Sequence, residues 1–232
     1  MASSGWYCPD LEKVTLYSSK PYPSWAGSGI SLNKLLIFLI VAWSGYYVMS
    51  IELLSGRILA PSFGSSIYVW GAVITIFMLA LSAGYLLGGR LSVAEPSLKK
   101  LAILLLLAAV ATTPVMLIGE RVQDEIFVRI HDPRYGSMVS ILLLFSLPTL
   151  LSGMVSPYAV RLLVSEHRLC GQYSGLLYSV STFGSAVGTL LTSFYLVLYF
   201  EIFQIIWIMI GISTLLGVFA LVFGKDYDVK NV

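Results

Sequence analysis

The sequence predicts an all-α, polytopic integral membrane protein with about six transmembrane helices. Of its 232 residues, 57% are hydrophobic and only 11% are charged, whereas soluble domains carry roughly 25% charged residues. The mean hydropathy is +0.86. Most of the chain consists of apolar runs near the roughly 20 residues that a membrane-spanning helix needs. We therefore expect the lipid bilayer to be its first partner.

Six apolar segments are long enough to cross a bilayer: 35–59, 67–90, 99–118, 138–160, 173–199 and 205–223. Between the first two, Gly56, Pro61 and Gly64 predict a turn. The predicted organisation is a polar and aromatic tail at 1–33, a transmembrane domain at 34–224 and a short tail at 225–232.

One polar segment, residues 119–137, interrupts the apolar pattern. Val122, Ile126 and Ile130 recur in it at helical spacing among charged residues. Such a pattern is typical of a short amphipathic helix on the membrane surface. A solvated loop is the alternative.

Aromatic residues occur where the chain is expected to meet the membrane interface. Tyr68 and Trp70 stand at the start of the second span, and Trp25 belongs to the amino-terminal tail. Trp and Tyr favour the interfacial zone. The tail is thus either a flexible terminus or an arm that lies on the membrane or on a partner.

The distribution of basic residues predicts an orientation. With six spans, ten of the 14 Lys and Arg residues fall on the side of both termini, and the other four are Arg57, Arg121, Arg129 and Arg134. The positive-inside rule then places both termini in the cytoplasm. We expect a multi-pass protein of the cell membrane.

Two glycine pairs, Gly84/Gly88 and Gly184/Gly188, are spaced for close helix–helix contact. Small residues at this spacing let helix backbones approach in lipid. Packing within the bundle is one use of these pairs, and a homodimer interface is the other.

Glu52 is the only acid within a predicted span. A charge at mid-bilayer costs about 2.5–3.5 kcal/mol on insertion scales. We expect Glu52 either to pair with Arg57 or a tyrosine and fix the first hairpin, or to bind a cation or proton.

Arg90 and Arg161 flank helix ends on the predicted cytoplasmic side. They are candidates for binding lipid phosphates or helix carboxyl ends. Snorkelling anchors are an equal alternative.

Catalytic and metal-binding patterns are missing from the sequence. Cys8 and Cys170 are far apart, and neither is part of a C-x-x-C motif. No serine or cysteine has the setting of an activated nucleophile. The net charge of +2 is spread over short loops and indicates no nucleic-acid partner. We expect no enzyme activity, no cofactor and no metal.

Two blocks of mixed polar and glycine residues resemble the membrane half of the membrane-fused spermidine synthases. The first reads ELLxGRxLAPxFGSSxYVWG at 52–71 and GYxxGGRL at 84–91. The second reads GMVSPxAxRL at 153–162 and SGxLYSxSTxGSxxGT at 174–189. The resemblance covers about residues 35–198 and implies a helical domain similar to half of a major-facilitator transporter.

The sequence departs from that family in two ways. No glycine-rich turn for an adenosyl cofactor occurs, so we expect the synthase domain to be missing. Ser92 and Val93 stand where the facilitator loop would lead us to look for an acid. The resemblance therefore implies the membrane scaffold and no polyamine chemistry.

Two functions remain open. The first is a non-catalytic subunit or scaffold that docks in a larger membrane complex through its glycine faces and aromatic tail. The second is a small transporter of a polyamine or another cation, with Glu52 at the substrate. Because alternating access generally needs two repeats, six helices would act as a homodimer or with a partner.

Overall fold

The computed structural model describes residues 32–93, 96–163 and 170–223 of the chain. These ranges contain six long helices and the short links between them. They are α1 (Leu32–Phe63), α2 (Ile67–Leu91), α3 (Leu98–Arg129), α4 (Pro133–Leu163), α5 (which starts as Cys170–Leu191) and α6 (Ile202–Phe223). All six are long and apolar enough to cross a membrane, and these ranges contain no strand. The predicted class, an all-α multi-pass membrane protein, is confirmed.

The turn between α1 and α2 lies later than predicted. α1 continues through Gly56 and Pro61 and ends at Phe63, because a proline in the last helical turn removes only one backbone hydrogen bond. Gly64 then adopts a φ of 76° and its N–H donates to the carbonyl of Ala60 at 2.9 Å. This left-handed conformation, which glycine favours, ends the helix.

The predicted surface helix over residues 119–137 is wrong. α3 runs without interruption to Arg129. Gly119, Gln123 and Ile126 are buried in the bundle, and the ring of Phe127 meets that of Phe63 edge-on at 6.0 Å. The amphipathic pattern therefore arises because one face of the end of α3 packs against other helices of the bundle. It does not indicate a separate helix on the membrane surface.

Three residues, 130–132, connect α3 to α4. Asp132 Oδ1 accepts a hydrogen bond from the Arg134 N–H at 2.9 Å, and Pro133 takes the first helical position, where a missing N–H costs nothing. α4 then contains Pro148 and Pro157 without a break.

α5 changes its helical form near its end. A single π-helical turn, Thr192–Leu196, follows Leu191 and leads into Val197–Tyr199. Thr192 Oγ1 donates to Ser50 Oγ at 2.8 Å, which binds this turn to α1.

α1 and α4 form the centre of the bundle. On one flank α2 packs against α4 and α5 against α1, and on the other α3 packs against α4 and α6. Two side-chain contacts join α1 to the flank formed by α3 and α6. Trp43 Nε1 donates to Ser213 Oγ in α6 at 2.8 Å, and the Tyr47 hydroxyl contacts that of Thr112 in α3.

The apolar core consists of two clusters stacked along the helices. We call the end of the bundle where α1 begins the Lys34 end, and the end where α1 turns into α2 the Gly64 end. Ile40, Leu101 and Tyr158 belong to the Lys34-end cluster, and Leu54, Phe77 and Phe145 to the Gly64-end cluster.

Candidate functional site: a serine-lined cleft

Both glycine pairs lie at contacts between helices of the bundle. A Cβ on Gly84 would meet the Leu150 carbonyl of α4, and one on Gly88 would lie 2.6 Å from the Met154 carbonyl. Each position therefore excludes any side chain. α2 and α4 approach to backbone contact along this line.

The second glycine pair, Gly184 and Gly188, brings α5 into backbone contact with α1. A Cβ on Gly184 would meet the Ala42 carbonyl, and one on Gly188 would lie 2.6 Å from the Tyr46 carbonyl. α2 and α5 are thus each held tightly against a different central helix.

Between α2 and α5, a cavity of about 430 Å³ lies over α1 and α4. We call it the serine cleft. Six serines line it: Ser44, Ser82, Ser152, Ser156, Ser181 and Ser185. The other lining residues are Gly45, Val48, Met49, Met78, Leu81, Tyr85 and Gly153. Met78 and Tyr85 are about half exposed, so the cleft is open along its α2 edge.

Two hydroxyls of the serine cleft, those of Ser44 and Ser185, are bonded to backbone carbonyls. Ser44 Oγ donates to the Ser152 carbonyl at 3.0 Å. Ser185 Oγ lies 3.1 Å from the carbonyls of both Gly45 and Ser181. Ser152 Oγ differs, because it is buried and has no hydrogen-bond partner among the described residues. One serine of the cleft lining thus has a buried hydroxyl that no described residue satisfies.

Glu52 lies near the serine cleft on α1 but is not among the residues that line it. It follows Val48 by four residues and Met49 by three, so it lies on the same helix face, one turn towards the Gly64 end. The residue is 8% exposed, and its Oε2 accepts no hydrogen bond from the part of the chain that the structure describes.

The expected pairing of Glu52 with Arg57 is wrong. Arg57 is exposed, and five residues along a helix correspond to about 140° of rotation. The two side chains therefore leave α1 on different faces. Within residues 32–93, 96–163 and 170–223 no residue neutralises the carboxyl group.

The other predicted residues lie at the ends of the bundle. Arg90 and Arg161 are exposed at the Lys34 end. Tyr68, half exposed at the Gly64 end, has the Arg134 guanidinium 4.1 Å from its ring centre. Trp25 and Cys8 lie outside the described residues.

Trp70 packs against α1. Its indole covers Gly56 of α1 so closely that a Cβ there would lie 2.8 Å from the ring. Tyr68 and Trp70 thus anchor the start of α2 to α4 and α1 respectively.

The serine cleft itself was missed by reasoning from the sequence. Its signal was the i, i+4 spacing of Ser152 with Ser156 and of Ser181 with Ser185, inside helices that are otherwise apolar. No group of three or more His, Cys, Asp or Glu residues that could hold a metal occurs among the described residues. The chemistry that this arrangement offers is hydrogen bonding and, at Glu52, attraction of a positive charge.

Comparison with protein-family models, curated proteins and solved structures finds no match to this chain. The likeness to the membrane-fused spermidine synthases consequently stays a prediction. Function has to be argued from the serine cleft.

Proposed function

We propose that this chain is a non-catalytic membrane subunit, and that another membrane protein chain covers the open side of the serine cleft. The observation that carries the proposal is a hydroxyl-lined space between α2 and α5 at the middle of the spans. Polar surface at this depth is tolerated where protein buries it or where water fills the space. A protein cover satisfies this requirement.

The docking face is the α2/α5 flank. The glycines first considered for docking are already used inside the bundle. The helices of the α2/α5 flank keep exposed aromatic side chains next to the cleft, Tyr85 on α2 and Tyr178 on α5. Aromatic residues are enriched in protein interfaces.

The proposed location is the cell membrane with both termini in the cytoplasm. Lys34, Arg90, Lys99, Lys100 and Arg161 lie at the Lys34 end of the bundle. Cytoplasmic loops carry an excess of Lys and Arg, which supports placing the Lys34 end in the cytoplasm.

Transport of a small solute is a second candidate. Six serines border one cleft inside the bundle, which the sequence alone did not indicate. Two copies that face each other through the α2/α5 flank would form a closed carrier. A homodimer as the native particle would favour this alternative.

Photo-crosslinking in native membranes tests the docking face. Benzoylphenylalanine replaces Tyr85 or Tyr178, which are 47% and 50% exposed, or as controls Leu107 of α3 or Trp207 of α6, at 47% and 48%. We expect crosslinks to a second membrane protein chain from the first two positions alone. The adducts are identified by mass spectrometry after solubilisation in mild detergent.

Equal crosslinking from all four positions would contradict a specific docking face. A particle with the mass of one chain in mild detergent, together with lipid adducts only, would contradict the subunit proposal itself.

A further inference from the structure

The serine cleft is a compact space within the bundle. On α2 its lining runs from Met78 to Tyr85, and on α1 from Ser44 to Met49. From residue 78 to residue 85 a helix rises about 10 Å, whereas a transmembrane helix crosses a hydrocarbon core of about 30 Å. The space is therefore too short for a helix to lie in it. Its volume of about 430 Å³ is within the range of about 300–1,000 Å³ that is usual for small-molecule sites.

The serine cleft carries no formal charge. None of the described residues that line it is Asp, Glu, Lys, Arg or His. Glu52 is outside the lining, and its unpaired Oε2 is buried. Because an unpaired charge is costly to bury beside uncharged groups, the cleft suits an uncharged molecule.

Three serine hydroxyls of the lining are available to such a molecule. Ser82, Ser156 and Ser181 stand on α2, α4 and α5, and their Oγ atoms bond to none of the described residues. Ser152 Oγ is fully buried, whereas the hydroxyls of Ser156 and Ser181 are not closed off in this way, and Ser82 is exposed. A serine hydroxyl can both donate and accept a hydrogen bond. Hydrogen-bonding groups therefore border the cleft on three helices.

The larger side chains of the lining favour an aromatic ring over an alkyl chain. Met49 lines the cleft from α1, and Met78 and Tyr85 line it from the same face of α2, two helical turns apart. Thioether sulfurs make favourable contacts with aromatic rings, and aromatic rings also pack against one another. Met78 and Tyr85 are about half exposed, so a ring can enter from the bilayer along α2.

We propose that the serine cleft binds an uncharged aromatic molecule with oxygen substituents, of the kind found in phenols and quinones, which enters from the bilayer. Its oxygens bond to the hydroxyls of Ser82, Ser156 and Ser181, and its ring lies against Met49 and Met78. The site consists of residues of one chain, so it is present with or without the second chain that we propose to cover it.

Photolabelling of the full chain in zwitterionic lipid nanodiscs tests the proposal. The probe is a phenol that carries a trifluoromethyldiazirine, and the labelled peptides are identified by mass spectrometry. We expect labelling of the segments around Met49 and Met78, and we expect excess p-cresol to suppress it in a saturable way. The competitors p-xylene, which has the same shape without a hydroxyl, and p-toluate, which is anionic, should suppress it only weakly. Equal suppression by either of these, or labelling that p-cresol leaves unchanged, would overturn the proposal.

Ser82→Leu fills the cleft without entering the core. Ser82 lines the cleft and is exposed, so leucine there occupies the space where it opens. Ser179→Leu, at an exposed position of α5 outside the cleft lining, is the matched control. We expect the p-cresol-sensitive labelling to be lost in Ser82→Leu and kept in Ser179→Leu, and both variants to unfold at the Tm of the native chain. Retention in both would show that the phenol binds elsewhere and would refute the site.

A triple variant with Ser82→Ala, Ser156→Ala and Ser181→Ala tests the hydroxyls without filling the cleft. Loss of even one hydrogen bond should weaken p-cresol binding by about fivefold, so p-cresol should lose its advantage over p-xylene as a competitor. A preference for p-cresol that survives in the triple variant would refute the role of the hydroxyls. Neither outcome alters the crosslinks from Tyr85 and Tyr178, so the docking proposal stands or falls separately.

Discussion

The two flanks of the α1/α4 centre meet the same packing requirement with different side chains. On the α2/α5 flank, glycines bring backbones into contact, and the serine cleft remains between them. On the α3/α6 flank, bulky residues such as Leu101 and Ile206 are fully buried, and Trp43 and Tyr47 reach across to hydroxyls. Close backbone approach thus leaves room for a polar site, whereas large side chains fill the space.

The largest effect is expected where a side chain is introduced between α5 and α1. Gly184→Ala forces a methyl group against the Ala42 carbonyl, and overpacking of this kind should lower the free energy of unfolding by about 3 kcal/mol. Gly175→Ala on the same helix is the control, because a Cβ there meets nothing within 4 Å. Unfolding in mixed micelles with dodecyl sulfate measures both. Similar losses for the two variants would show that helix propensity, and not contact, sets the result.

A smaller effect is expected on the opposite flank. Tyr47→Phe removes the hydroxyl that contacts Thr112, while Thr112 Oγ1 keeps its bond to the Ala108 carbonyl at 2.9 Å. One hydrogen bond between membrane helices contributes about 1 kcal/mol. The same unfolding titration on Tyr46→Phe, whose hydroxyl bonds to no described residue, should show no change. A loss for Tyr47→Phe as large as that for Gly184→Ala would remove the contrast between the flanks.

The smallest effect is expected inside the serine cleft. Ser152→Ala removes a hydroxyl that bonds to none of the described residues, so the free energy of unfolding should change by less than about 0.5 kcal/mol. Ser44→Ala breaks the bond to the Ser152 carbonyl and should cost about 1 kcal/mol. If Ser152→Ala were the more damaging, its hydroxyl would be part of the internal hydrogen-bond network.

The six spans could be predicted from the sequence because apolar length alone sets them. α2 was predicted at 67–90 and runs from Ile67 to Leu91. The spacing of the glycine pairs that include Gly84 and Gly184 predicted close helix contacts. The sequence did not show which helices these glycines contact.

Features that depend on which helices are neighbours in the bundle could not be predicted from the sequence. The apolar residues that recur around Ile126 would have the same spacing on a short surface helix and at the end of a long transmembrane helix. Contacts across the bundle, such as that between Phe63 and Phe127, distinguish the two structures. Likewise, the i, i+4 serines of α4 and α5 become one site because both helices border the same space. Helical period gives the face of a residue but not its neighbour across the bundle.

The π-helical turn of α5 carries a consequence for how insertions and deletions act on this bundle. A π turn holds about one residue more than an α turn of similar length, and one residue corresponds to about 100° of rotation. Deleting one residue from the regular helix would rotate everything after it by that angle. A deletion within Thr192–Leu196 would instead remove only the extra residue of the wide turn, so Val197–Tyr199 would keep their direction and Gly184 and Gly188 their register on α1. The end of α5 is therefore a place where the chain can lose one residue while the exposed Tyr199 keeps the face that it presents to its surroundings.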